Sequence, residues 1–133
     1  MRYVLDASVA VASARPQEPS YAAAFGRVSR VLAGLDEIVV PALFRVEVAS
    51  ALARTGFEPK WIDTHVDHLL ASATVVLVGP VRSKRVQRVA MTAKLRAADA
   101  TYVWVAGREG IPLVTLDNEV VVRGAAFCQV ERP

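Results

Sequence analysis

The stretch Ile38-Val39-Val40 indicates the fold class more clearly than any other part of the sequence, because its side chains are apolar without alternation. A strand with one wet face alternates apolar and polar residues, whereas a parallel strand covered on both faces is apolar throughout. The stretch therefore predicts a strand from Glu37 to Val40, in a sheet that helices cover on both sides.

Short β-branched runs of this kind recur along the chain and alternate with segments of helical character. The predicted strands are Arg2 to Leu5, Glu37 to Val40, Thr74 to Val78, Pro112 to Thr115 and Phe127 to Val130. The predicted helices are Ser8 to Ala14, Ser20 to Leu35, Ala42 to Arg54, Lys60 to Ser72, Val81 to Leu95 and Ala97 to Arg108. Ser20 is a candidate N-cap, and Gly56 and Gly110 are candidate helix ends. This alternation predicts an α/β domain with a mainly parallel sheet.

Length and composition favour one domain that spans residues 1–133. The 133 residues are 53% hydrophobic, which suffices for a real core. No apolar run approaches the roughly 20 residues of a membrane span, and Asp6 interrupts the apolar run that could start a secretion signal. The single cysteine, Cys128, excludes an intrachain disulfide, fits a cytoplasmic location and is interpreted as a buried structural thiol.

Four acidic residues occupy positions where a carboxylate is costly. Asp6 and Asp117 each follow a predicted strand, while Glu47 and Asp99 lie in helical segments that are otherwise almost wholly apolar. A carboxylate in apolar surroundings is unfavourable unless it is paired or holds a cation. Because sites in open α/β sheets form beyond the carboxyl ends of the strands, Asp6 and Asp117 are predicted to be neighbours in space.

Two of these acids also have a structural interpretation within their own helices. Glu47 could contact Arg54 or Ser50 on one stripe of its helix. Asp99 could act as an N-cap, or it could form an ion pair with Arg96 three residues earlier. The apolar composition around Glu47 and the alanines around Asp99 favour a functional role for both.

Asp6 and Asp117 could likewise begin a turn or cap the following helix. Four acids in matching contexts nevertheless indicate one cluster more strongly than any single residue does. Carboxylates held together raise one another's pKa values, and a divalent cation removes this repulsion. An all-oxygen ligand set suits Mg²⁺ or Mn²⁺ rather than Zn²⁺, and the reaction that such a site suggests is phosphodiester hydrolysis.

The net charge of +3 is mild, but basic residues are concentrated in one segment. They are Arg82, Lys84, Arg85, Arg88, Lys94 and Arg96. Such a run forms either a solvated helix face or a surface that attracts phosphates, and beside an acidic metal site the two interpretations stand about even. The predicted RNA contacts are Arg96, Arg82, Lys84 and Arg85.

Four segments resemble those of PIN-domain ribonucleases, most closely the VapC toxins of toxin–antitoxin pairs. They are Tyr3-Val4-Leu5-Asp6-Ala7-Ser8, Pro41-Ala42-Leu43-Phe44-Arg45-Val46-Glu47, Leu95-Arg96-Ala97-Ala98-Asp99-Ala100 and Leu113-Val114-Thr115-Leu116-Asp117. The resemblance runs from Arg2 to about Val130. It implies a three-layer α/β/α fold and an endoribonuclease that cleaves single-stranded or structured RNA. It also implies a cognate antitoxin as partner and a homodimer.

The same resemblance implies an active site that binds Mg²⁺ or Mn²⁺. Its implied acidic residues are Asp6, Glu47, Asp99 and Asp117. The three aspartates would be metal ligands, while Glu47 would bind the metal through water or orient the attacking water. Ser8 and Thr115 match small hydroxyl residues that hydrogen-bond the carboxylates, and Glu119 is a weaker candidate for a fifth acid.

Other groups of residues suggest other interpretations. Asp63, His65, Asp67 and His68 resemble a metal cluster, but the apolar residues between them indicate the solvated face of a helix. A phosphatase that uses Asp6 as its nucleophile is disfavoured, because the stretch Asp6-Ala7-Ser8 lacks the second aspartate of such enzymes. The non-enzyme alternative is a catalytically idle PIN-like or receiver-like module that binds a cation. An antitoxin helix is a candidate partner for an apolar groove lined by Tyr21, Phe25, Phe57 and Trp61.

Overall fold

Five strands and seven α-helices alternate along the chain, which the computed structural model describes over residues 1–133. The strands are β1 (Arg2–Leu5), β2 (Glu37–Pro41), β3 (Thr74–Val76), β4 (Leu113–Val114) and β5 (Val130–Glu131). The helices are α1 (Ala7–Ala12), α2 (Tyr21–Leu32), α3 (Leu43–Arg54), α4 (Pro59–Leu70), α5 (Pro80–Ala93), α6 (Ala97–Glu109) and α7 (Asn118–Arg123). A 3-10 turn, Gly124–Ala126, follows α7. None of these helices combines the length and the apolar character that a membrane crossing requires.

The sheet has the order β3-β2-β1-β4-β5, and every neighbouring pair of strands is parallel. Val39 of β2 lies opposite Val4 on one side and Thr74 on the other, so β2 is an interior strand. Ile38, Val39 and Val40 are each at most 2% exposed. The prediction of an α/β fold with a doubly covered, mainly parallel sheet is confirmed.

The strand order places helices on both faces of the sheet. β1, β2 and β3 are added in one direction, whereas β4 returns to the other side of β1. Because such crossovers are right-handed, the two directions place their helices on opposite faces. Helices α1 to α4 pack among themselves, while α6 packs on β1, β2 and β4 with α5 against it. The three-layer α/β/α fold follows, and its strand order reverses between β1 and β4.

The spacing of apolar residues explains which side of each helix is buried. In α4, Pro59 occupies the first turn, where its missing N–H costs nothing, and Ile62, Val66 and Leu69 form the buried face. Burial of each such side chain contributes about 1.5–3 kcal/mol. These residues join one core that includes Tyr3 and residues from both helical layers.

The glycine interpretations agree with the structure, and the thiol that was interpreted as buried is half-buried. Gly110 ends α6 with a φ of 66°, and Gly56 follows α3 with a φ of 92°, in the left-handed region that glycine adopts easily. Cys128 is half-buried, and burial raises the pKa of its thiol to about 11, so the thiol stays protonated at neutral pH. Ser20 does precede α2, but its side chain makes no capping hydrogen bond.

The C-terminal prediction is wrong in two respects. Phe127 ends the 3-10 turn instead of starting a strand, and β5 begins only at Val130. The short helix α7 was not predicted, because six residues carry too little periodicity to distinguish a helix from a strand.

Candidate active site

Asp6 lies where the strand order reverses, directly after β1. Its backbone N–H donates to the Val114 carbonyl at 3.0 Å, which extends the pairing of β1 with β4. Two hydroxyls donate to its Oδ2 atom, that of Thr115 at 2.6 Å and that of Ser8 at 2.7 Å. The carboxylate is therefore held between Ser8 at the start of α1 and Thr115 just after β4.

Burial raises the pKa of Asp6, which is only 7% exposed. The hydroxyls of Thr115 and Ser8 lower this pKa in part, and the nearby carboxylate of Asp117 raises it further. None of the groups that hydrogen-bond the Asp6 side chain is a cation. A buried carboxylate held only by hydroxyls, beside another carboxylate, favours the approach of a positive charge.

Asp117 performs two tasks at once. Its Oδ1 atom accepts the backbone N–H of Glu119 at 2.8 Å and that of Val120 at 3.2 Å, so it caps α7. Its Oδ2 atom accepts the Arg96 guanidinium at 3.1 Å. The capping alternative for Asp117 is thus observed, and its charge still acts on Asp6 and Asp99. Glu119 is exposed and supplies its backbone N–H to this cap.

Asp99 lies in the first turn of α6 and pairs with Arg96 through Oδ2 at 3.1 Å. The ion-pair alternative is therefore observed, whereas the N-cap position belongs to Arg96 itself. Burial raises the pKa of Asp99; Arg96 lowers it, and the carboxylates of Asp117 and Asp6 raise it. The Arg96 side chain is 74% exposed, so it bridges Asp99 and Asp117 from the solvent side.

Glu47 is held by a residue from the opposite helical layer. The buried Tyr102 hydroxyl donates to its Oε1 atom at 2.7 Å, and the alternative contacts with Arg54 and Ser50 do not form. Burial raises the pKa of Glu47; Tyr102 lowers it, and the carboxylates of Asp6 and Asp99 raise it. Sequence reasoning missed Tyr102, although its spacing of three residues from Asp99 places both on one face of α6.

The four predicted acids are thus brought together from the end of β1, from α3, from α6 and from just beyond β4. Each acid with a raised pKa is raised partly by the charge of at least one other member. Together they carry four formal negative charges, and the guanidinium of Arg96 is the cation that contacts two of them. We call these four residues the acidic cluster.

The donor chemistry of the acidic cluster fits a hard divalent cation. Its ligating atoms are all carboxylate oxygens, and their mutual repulsion would be relieved by a bound cation. In the present arrangement, no three His, Cys, Asp or Glu side chains are positioned to hold a metal ion together. In this arrangement Arg96 contacts Asp99 and Asp117, while hydroxyls donate to the other two carboxylates.

Only one of the four predicted RNA contacts lies at the acidic cluster, and it is Arg96. Arg85 borders a pocket with Trp104 and Arg108, and Arg108 is about 13.5 Å along α6 from Asp99 at 1.5 Å per residue. The other two lie in the same half of α5: Arg82 donates to the Leu77 carbonyl at 2.8 Å, and Lys84 is exposed. Contact of this half of α5 with RNA stays a prediction.

The residues rejected as a metal cluster form the solvated side of α4. Asp63, Asp67 and His68 are exposed, and Asp67 pairs with Arg45 at 2.7 Å. His65 stacks on the Trp61 ring at a centroid distance of 4.6 Å, and burial lowers its pKa. The interpretation as a solvated helix face is confirmed.

Comparison with known proteins places this chain in a family. The model of the PIN domain matches residues 3–125. Among solved structures, PAE2754 from Pyrobaculum aerophilum is 26% identical with a TM-score of 0.69, over 98% of this chain and 83% of that chain. None of the curated proteins matches the sequence.

Two more distant structures share the fold with the same TM-score of 0.69. FitAB bound to an IR36 DNA fragment is 19% identical, over 100% of this chain and 95% of that chain. The structure of VapBC2 from Rickettsia felis, bound to a DNA fragment from the VapBC2 promoter, is 14% identical. The match covers 100% of this chain and 99% of that chain. At these identities the likeness concerns the fold alone. The family model, which covers most of the chain, shows that the protein belongs to the PIN domain family, whose members are nucleases.

Proposed function

We propose that residues 1–133 form a single PIN domain that acts as a Mg²⁺- or Mn²⁺-dependent endoribonuclease on single-stranded or structured RNA. The observation that carries this proposal is the convergence of Asp6, Glu47, Asp99 and Asp117 at the reversal of strand order. Four acids from four separate elements have no shared structural task there, whereas metal-assisted phosphodiester hydrolysis uses a cation held at such a place.

The aspartates Asp6, Asp99 and Asp117 would hold the cation. A bound cation would supply two things, a lower pKa for the attacking water and stabilisation of negative charge on the phosphate. Ser8 and Thr115 fix the orientation of Asp6 through their hydroxyls at 2.7 and 2.6 Å. Because the Arg96 side chain is largely exposed, it can leave the carboxylates and turn its guanidinium toward a phosphate of the RNA.

Glu47 orients the attacking water and accepts its proton. Its pKa is raised by burial and by the neighbouring carboxylates, which makes it a stronger base than an exposed glutamate. The Tyr102 hydroxyl donates to Oε1, which leaves Oε2 as the oxygen for the attacking water.

Cleavage of a labelled single-stranded RNA with Mn²⁺, with Mg²⁺ or with EDTA tests this function. Wild-type protein should cleave only with a divalent cation, and Asp99→Asn should abolish cleavage while circular dichroism shows an unchanged fold. Asp63→Asn is the matched control, because Asp63 is an exposed aspartate outside the acidic cluster. Full activity of a folded Asp99→Asn variant would overturn the assignment.

A catalytically idle PIN domain is the second candidate, and the Arg96 contacts favour it. A guanidinium that bridges Asp99 and Asp117 at 3.1 Å each already neutralises part of the acidic cluster. This candidate predicts that Mn²⁺ raises the melting temperature while no RNA is cleaved. Turnover of any RNA by the wild type, lost in Asp6→Asn, would exclude it.

We further propose that the protein is the toxin of a toxin–antitoxin pair, as its likeness to the FitAB and VapBC2 structures suggests. Phe25 of α2 and Trp61 of α4 are 50% and 42% exposed, and both helices pack together. These aromatics offer an anchor for an antitoxin helix. Tyr21 lies beside Phe25 at a centroid distance of 5.5 Å, and Phe57 stacks on Trp61 at 5.0 Å.

Expression in a bacterial host tests the toxin proposal. Growth should stop on induction, and Asp6→Asn should restore it. Co-expression with the neighbouring gene product should yield a complex that Trp61→Ala disrupts, and light scattering of the protein alone should show a homodimer. Unimpaired growth with soluble wild-type protein would contradict the proposal.

A further inference from the structure

A groove of about 620 Å³ leads away from the acidic cluster between α1 and α3. Ser8 and Glu47 line its near end, and Arg15 and Arg54 line its far end. Its walls carry small side chains such as Ser50, which leave room for a chain to lie along it. The groove thus joins the acidic cluster to a pair of arginines.

The distance along the groove follows from the geometry of α3. Glu47, Ser50 and Arg54 occupy one stripe of that helix, and seven residues at 1.5 Å each separate Glu47 from Arg54 by about 10.5 Å. A single strand that lies along the groove would therefore reach the arginines within a few nucleotides of the acidic cluster.

The charges at the far end leave hydrogen-bond donors free. Arg54 is exposed and lies within ion-pair distance of no carboxylate. Arg15 pairs with Glu18 through Nη1 at 2.6 Å, but its Nε atom is buried without a hydrogen-bond partner. A buried unpaired donor is costly unless an acceptor reaches it. Two guanidiniums against one carboxylate give this end a positive balance.

We propose that Arg15 and Arg54 bind a backbone phosphate of the RNA, a few nucleotides from the phosphate that is cleaved. Guanidinium groups bind phosphate oxygens through paired N–H donors, and a positively charged groove is how proteins follow a single strand. Glu18 holds the Arg15 side chain in place through Nη1, while Ser20 and Ser50 add hydroxyls along the path. This inference rests on the proposed nuclease function.

Equilibrium binding of a fluorescein-labelled oligouridylate in EDTA tests the proposal without turnover. Arg54→Gln should weaken binding about 10-fold, and the slope of log Kd against log salt should fall by about 0.7, the value for one phosphate contact on a single strand. The matched control is Arg2→Gln at the start of β1, which removes the same charge from the opposite edge of the sheet. Arg2→Gln should change the RNA affinity by no more than about twofold, and it should leave the salt slope unchanged.

Two further variants make the outcome decisive. Arg54→Lys keeps the charge but loses the paired donors, so it should retain the slope and recover only part of the affinity. Arg15→Gln should weaken binding in the same direction as Arg54→Gln. Equal affinity and equal slope in Arg54→Gln and Arg2→Gln would overturn the proposal, as would an effect of Arg54→Gln on antitoxin binding with none on RNA.

The result separates this inference from the function on which it rests. If wild-type protein cleaves RNA and Asp99→Asn does not, but Arg54→Gln binds and cleaves like the wild type, only the phosphate subsite is wrong. If wild-type protein cleaves no RNA, the nuclease proposal fails, and the comparison of Arg54→Gln with Arg2→Gln in EDTA still decides what the groove binds.

Discussion

Two buried aspartates beside the central strands have opposite electrostatic surroundings. Asp6 follows β1 at the carboxyl ends of the strands, and Asp36 precedes β2 at their amino ends. They are 7% and 2% exposed, respectively. Asp36 accepts two hydrogen bonds from Arg30, at 2.9 and 3.0 Å, and one from the amino group of Met1 at 3.0 Å. The Asp6 side chain accepts its hydrogen bonds from the hydroxyls of Ser8 and Thr115, and from no cation.

This difference shows that burial alone does not identify a functional acid. The guanidinium of Arg30 lowers the pKa of Asp36 to about 2, although burial opposes this shift. Burial raises the pKa of Asp6, and the neighbouring Asp117 adds to the shift. The Asp36 charge is neutralised within the fold, so it serves stability. The Asp6 charge is not, and such a carboxylate is suited to an external cation.

Asp6→Asn should separate the two roles most sharply. RNA cleavage should fall at least about 100-fold, because the amide cannot supply the negative charge that holds a cation. The melting temperature should stay unchanged or rise, because the variant buries no charge beside Asp117. Cleavage rates and thermal unfolding of the same preparation measure both effects. If Asp6→Asn cleaves RNA within about twofold of the wild-type rate, Asp6 is not the functional member of the pair.

Asp36→Asn should give the reverse pattern. The free energy of unfolding should fall by about 2–3 kcal/mol, less than the roughly 3–5 kcal/mol of a fully buried pair, because Arg30 is half-exposed and regains water. Cleavage per folded molecule should stay within about twofold of the wild type. Urea unfolding measures the loss, with Asp63→Asn as the exposed control. Unchanged stability would show that Asp36 is not the structural member of the pair.

The sequence allowed the acidic cluster to be predicted but not Asp36, and the reason is local. Asp6 and Asp117 follow apolar strands, and Asp99 lies among alanines, so each stands out from its neighbours. Asp36 adjoins Glu37 in a turn after α2 and looks exposed there. Its partner Arg30 is six residues away, which is outside the helical spacings that indicate a pair.

The same limit applies to the fold. β1 and α1 to α6 were predicted to within a few residues because each carries several residues of consistent pattern. The order of the strands could not be read from the sequence, because it depends on contacts between distant segments. Tyr102 was missed because an apolar helix face explains a buried tyrosine equally well. Its bond to Glu47 exists only once α3 and α6 lie on the sheet together.

Acid titration should reveal Asp36 through the pH dependence of stability. Its pKa is about 2 in the folded protein against an ordinary value of 3.8, so its contribution is complete above about pH 4 and is lost as the pH falls toward 2. The loss should be at most about 2–3 kcal/mol, since the pKa differs by nearly two units and each unit corresponds to about 1.4 kcal/mol. Urea unfolding between pH 4 and 2 should show the wild type and Asp36→Asn converging, whereas a constant difference would contradict this.

Tyr102→Phe should have the smallest effect, and it tests whether Glu47 belongs with Asp6 or with Asp36. The variant removes the donor at 2.7 Å from Glu47, which should cost about 1 kcal/mol of stability and lower cleavage about 3- to 10-fold. Because the hydroxyl lowers the pKa of Glu47, its loss should raise that pKa and move the acidic limb of the pH–rate profile to higher pH. Tyr21→Phe, at a half-buried tyrosine of α2, is the control and should leave the profile in place. If Tyr102→Phe loses stability but its pH–rate profile does not shift, Glu47 is a structural acid like Asp36. Its carboxylate then stabilises the fold through a partner and takes no part in the reaction.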